Sequence, residues 1–110
     1  MRANEYQKLA SRTINKKLSS EKQMEHSLHL LSAEVGEIHS LFQKELQGHP
    51  LNDEHLMKEC GDVLWGLAEL CTSKGWKLQD IADMNIEKLK ARYPEGFEVN
   101  RSLNRAEGDI

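Results

Sequence analysis

Two short acidic pairs hold the chemistry that this sequence can do. Glu34-Val35-Gly36-Glu37 and Glu59-Cys60-Gly61-Asp62 each place two carboxylates at i, i+3, on one face of a helix. An acidic pair on a helix is most often a solvated face, and its neighbours must argue otherwise. At about 100° per residue, Glu34 and Glu37 share a column with Leu30 and Leu41, beside an apolar seam. Both glutamates are therefore expected to be at least half buried. Glu59 lies next to the seam of its own helix, Asp62 just beyond it, and Gly66 continues that column and is expected to leave open space. Antiparallel packing of the two helices would bring the four acids together.

Four clustered carboxylates repel. At ~6 Å and an effective dielectric of ~20 each pair costs roughly 3 kcal/mol. Either some protonate or a cation is bound. All-oxygen ligation suits Mg²⁺ or Mn²⁺ rather than zinc. A di-iron bundle uses Glu-x-x-His pairs, and neither acidic pair contains a histidine. A magnesium cluster in a helical groove is suited to polyphosphate, whose oxygens it bridges while activating a water. Basic partners are then required. Asn85, Lys88 and Arg92 fall in one column with Ile81, which reads either as a solvated basic face or as a face turned partly inward.

These residues need helices to position them, and the chain reads as all-α, a small bundle of about four helices. No stretch alternates apolar and polar for long enough to make a strand. The first helix is expected over residues 4–14. The second starts near Ser20, where Ser20-Glu21-Lys22-Gln23 resembles a capping box, and runs to about Leu46 before Gly48-His49-Pro50. The third runs from after Asn52-Asp53 to about Ser73, closed by Lys74-Gly75. The fourth covers residues 78–92 and stops before Pro94, which pushes Tyr93 out of the helical region. Residues 1–97 form the domain, and residues 98–110 read as a polar tail. Met24, Leu28, Leu31, Val35, Ile38, Phe42 and Leu46 form a near-heptad seam, with Leu56, Cys60, Val63, Leu67 and Leu70 facing it from the third helix. Apolar residues lie off both seams, so a homo-oligomer is expected.

Composition removes several classes. The chain has 110 residues, enough for one domain. No apolar run approaches ~18 residues, so no membrane-spanning helix is expected, and the N-terminus does not resemble a signal peptide. The formal net charge is −3, which argues against a nucleic-acid binder. Cys60 and Cys71 lie about 16 Å apart along one helix, too far to bridge, so reduced thiols and a cytoplasmic location are expected.

Taken together, the residues resemble the MazG-type nucleotide pyrophosphohydrolases, compact single-domain type. The resemblance rests on Glu34-x-x-Glu37 and Glu59-x-x-Asp62 separated by 21 residues. It extends through Asp62-Val-Leu-Trp65 and Asn85-Ile-Glu-Lys88-Leu-Lys-Ala-Arg92-Tyr93-Pro94-Glu-Gly96-Phe97, over roughly residues 20–97. It implies Mg²⁺-dependent hydrolysis of a nucleoside triphosphate to monophosphate and pyrophosphate by an all-α homodimer or homotetramer. Carried over by position, Glu34, Glu37, Glu59 and Asp62 would be metal ligands and catalytic acids. Asn85, Lys88 and Arg92 would contact the nucleotide, and Trp65 either a base, a neighbouring subunit or the core. Ala33 departs from the pattern, since many relatives carry another acid there, and this bears on the number of metals.

The remaining features read blandly. His26 and His29 at i, i+3 are expected on a solvated face, and Cys60 in the core. Gly36 and Gly61 suggest close helix approach, since glycine in a helix costs about 1 kcal/mol. Two other functions stay open: a non-catalytic helical module that binds nucleotides or a partner, and a related pyrophosphatase acting on dUTP or phosphoribosyl-ATP.

Overall fold

A computed structural model describes residues 1–110. The fold is all-helical, with five helices: α1 Ala3–Ser11, α2 Ser20–Leu46, α3 Asp53–Lys74, α4 Leu78–Arg92 and α5 Val99–Leu103. The chain divides into two compact units, Met1–Leu78 and Gln79–Ile110.

The helix ends follow from local chemistry. Ser19, not Ser20, caps α2: its backbone is extended and its Oγ accepts from Lys22 N–H at 3.2 Å. A capping residue must lie outside the helical region, and Ser20 is already in it. Gln23 Nε2 donates instead to the Leu18 carbonyl at 3.1 Å. Asn52 caps α3 by accepting from His55 N–H at 3.0 Å. Gly75 ends α3 at φ 72°, a left-handed turn that glycine takes without a Cβ penalty.

In the first unit α2 and α3 pack antiparallel. His26 meets Glu69, Leu30 and Leu31 meet Gly66, and Glu34 meets Glu59, so numbers rise along one helix as they fall along the other. A Cβ at Gly66 would lie 2.9 Å from methyls of Leu30 and Leu31. The expected open space at Gly66 is therefore filled by these leucines. Close approach is absent where it was expected, because a Cβ on Gly36 or Gly61 would meet nothing within 4 Å. Helix α1 packs on α3. Gln7 Nε2 donates to Thr72 Oγ1 at 3.2 Å and to the Trp76 carbonyl at 2.8 Å. Ile14, Ala68 and Cys71 are the buried apolar residues.

The expected seam divides in two. Met24, Leu31 and Ile38 are half-buried, whereas Leu28, Val35 and Phe42 are 52%, 45% and 42% exposed. These last three recur at seven-residue spacing, so one helical stripe of α2 is without a partner in the chain. Cys60 is exposed too, and Cys71 is the buried thiol; burial pushes its pKa up.

The second unit shows local structure within the polar residues 98–110. Residues 99–103 form α5, and Asp109 takes a two-point bond from Arg92. Tyr93 and Phe97, either side of Pro94 and Gly96, pack with their rings tilted at 48° and centroids 5.3 Å apart.

Candidate metal centre

Helix α2 contributes Glu34 and helix α3 contributes Glu59 and Asp62. One carboxylate oxygen from each lies within 4.8 Å of the others. Glu34 and Glu59 are half-buried and Asp62 is exposed. Glu59 Oε1 also meets His55 Nε2 at 3.2 Å, one turn back along α3.

Glu34 is the strained member. Its Oε2 is buried and has no hydrogen-bond partner. Its pKa is raised, first by a hydrogen bond with Glu59, then by burial, then by the charges of Asp62, Glu59 and Glu37. Each of these causes disfavours the charged form of Glu34. A partnerless carboxylate oxygen among like charges is an arrangement that a cation relieves, and an all-oxygen donor set fits a hard divalent ion. The residues fit such a group.

Glu37 departs from expectation. It is exposed and lies outside the three-acid cluster. Glu37 lies a turn beyond Glu34 on α2 with its side chain turned to solvent, although its charge still acts on Glu34. Asn85 and Lys88 belong to the second unit and are exposed, as is Ile81, so the expected inward face is a solvated one in this chain. Arg92 is the exception, nine-tenths buried in its bond with Asp109. Trp65 is half-buried, with its indole Nε1 donating to Thr13 Oγ1 at 2.8 Å and His26 edge-on at 6.3 Å.

Two residues outside the cluster escaped the sequence reading. Glu69 is 1% exposed and accepts from His26 Nδ1 through both oxygens, at 2.8 and 2.9 Å. His26 is thus engaged across the helix pair rather than simply solvated. The signal was in reach: Asp62, Gly66 and Glu69 form one column at i, i+4 and i+7, and the inward glycine marks its direction. Tyr6, on α1, is the second. Burial and then the charge of Asp62 raise its phenol pKa. Nothing in residues 1–11 alone points to that proximity.

A family model for the MazG nucleotide pyrophosphohydrolase domain matches residues 22–97. The chain belongs to this family. The MazG match begins in the first turn of α2 and ends after α4, so it contains the acidic cluster and leaves out α1 and α5. Comparison with curated proteins and with solved structures gave no match. The MazG domain is all-α and is a nucleotide pyrophosphohydrolase domain by family. No helix is long and apolar enough to cross a membrane.

Proposed function

We propose that this MazG domain hydrolyses (deoxy)nucleoside triphosphates to monophosphate and pyrophosphate with Mg²⁺, which Mn²⁺ can replace, and so cleans the cytoplasmic nucleotide pool. The observation that carries this reading is the buried, partnerless Oε2 of Glu34 beside Glu59 and Asp62. Glu34, Glu59 and Asp62 would hold the ion. Held there, Mg²⁺ would lower the pKa of a water and offset charge on the phosphate oxygens.

The chain's own groups do the rest. Glu37, whose charge acts on Glu34, would accept the proton of the attacking water. The water oxygen joins phosphorus, and the bond to the pyrophosphate leaving group breaks. His55 steadies Glu59 through their 3.2 Å contact. Asn85 and Lys88 bind the phosphates, with Arg92 and Trp65 as further nucleotide contacts. The stripe of Leu28, Val35 and Phe42 supports assembly as a homodimer or homotetramer.

The test is pyrophosphate release from a panel of canonical and modified NTPs and dNTPs, dUTP and phosphoribosyl-ATP included, with Mg²⁺ and with EDTA. Metal-dependent release with a monophosphate product is expected, and the ranking gives the substrate. Mg²⁺-dependent binding without product would overturn catalysis in favour of a nucleotide-binding module.

A further inference from the structure

The second unit contains a cavity of about 210 Å³ lined by the end of α4, by α5 and by the residues after it. Three guanidinium groups line it, those of Arg92, Arg101 and Arg105, together with Asn104. One acid is among the lining residues, Asp109. Its Oδ2 accepts from Arg92 Nε at 2.9 Å and its Oδ1 from Arg92 Nη2 at 2.8 Å. This parallel two-point bond is how a guanidinium also grips phosphate.

The pair is unlike the others in the chain. Arg92 and Asp109 are 10% and 17% exposed, while every other lysine or arginine ion pair is more than half exposed on both sides. Charge in the cavity is left over. Arg101 reaches Glu98 only at 4.0 Å, and that pair is exposed. The Arg92 hydrogen bond first, and then the charges of Arg92, Arg105 and Lys88, hold the Asp109 pKa down. The C-terminal end of a helix repels anions, and α4 ends at Arg92. The attraction for a negative ligand therefore comes from the guanidinium groups, not from the backbone. One carboxylate neutralises a third of them, whereas a phosphate carries up to two charges and more acceptor oxygens.

We propose that this cavity is an oxyanion site for a phosphate-bearing ligand, and that Asp109 is its internal stand-in, displaced when the ligand binds. Displacement frees the segment after α5 from its tie to α4. No covalent step is involved. The inference uses no residue of the acidic cluster and no metal; it shares Arg92 with the proposed nucleotide contacts, and a titration in EDTA reads it without the metal-dependent reaction.

The experiment is calorimetric titration of the full chain with inorganic pyrophosphate in EDTA, on the wild type and on Asp109→Asn. Removing a tethered competitor should tighten binding by about tenfold, and adding Arg105→Ala to the Asp109→Asn chain should abolish the gain. Circular dichroism checks that each variant is folded. Hydrogen exchange on the unaltered wild type gives an independent readout, with pyrophosphate expected to speed exchange of amides in residues 104–110. Equal affinity in wild type and Asp109→Asn, or no pyrophosphate effect on exchange, would reduce the pair to a structural tie and overturn the proposal. Parallel titrations with inorganic phosphate and with a nucleoside triphosphate distinguish a free anion from a nucleotide's phosphate chain, and binding of either at this site supports it.

Discussion

At the scale of single residues, Glu34 concentrates the electrostatics. Its folded-state pKa is raised, so it favours folding below its ordinary value near 4.5, and that contribution is lost as pH rises through the raised value. In EDTA the wild type should therefore lose thermal stability, relative to Glu34→Gln, as pH rises above about 4.5 and through the raised value. At neutral pH the Gln variant should melt a few degrees higher in EDTA and should gain nothing from Mg²⁺, whereas the wild type gains. Differential scanning calorimetry with and without Mg²⁺ reads both, and equal Mg²⁺ stabilisation of the two chains would remove Glu34 from the site. Glu59→Gln and Asp62→Asn should each lower turnover by about 10²-fold or more while circular dichroism stays unchanged. Asp109 works in the opposite sense from Glu34. Its lowered pKa, caused first by the Arg92 hydrogen bond, means that docking of residues 104–110 is intact near neutrality and lost only as pH falls through that depressed value.

The elements show why glycines inside helices need separate accounts. Gly66 is a contact position: a methyl there would lie 2.9 Å from Leu30 and Leu31. Gly66→Ala should cost about 1–3 kcal/mol from overpacking, read as a lowered denaturant midpoint. Gly36 and Gly61 meet nothing, so alanine at either should add about 0.5–1 kcal/mol through helix propensity. A loss of stability at Gly36 or Gly61 would instead reveal a neighbouring subunit packed on those positions. Helix α3 shows the same division by face. Ala68 and Cys71 are buried, while Leu64 and Leu67 are 41% and 40% exposed, so one side is packed within the chain and the other is not.

For the whole molecule, the surface left apolar is what remains unsatisfied. Leu28, Val35 and Phe42 stand open at heptad spacing, and such a stripe is buried by a partner helix in stable assemblies. Val35→Asp with Phe42→Asp should lower the oligomeric mass seen by sedimentation. A wild type that sediments as a monomer would remove the proposed assembly. The two compact units also divide the chemistry. The acids lie in the first and the basic residues Lys88 and Arg92 in the second.

Much of this was legible in order of residues alone. The spacing of Glu34, Glu59 and Asp62 on two amphipathic helices implies a shared face once those helices pack antiparallel, because helical periodicity is local. Helices α2 to α4 were delimited to within a residue or two by Asn52, Gly75 and Pro94, since caps and breakers act over one turn. The family match over residues 22–97 follows from the same ordered motifs. Tertiary structure alone decided the rest. Glu37 is left outside the cluster because which side chains of α2 are covered by α3 is set by packing between the helices, not by the period of either one. Gly66 rather than Gly36 or Gly61 is the close contact, because Leu30 and Leu31 land on it. Glu69 is buried because His26, 43 residues away, supplies its partner. Arg92 is held by Asp109 because the segment after α5 turns back on α4, a long-range closure that no local pattern encodes.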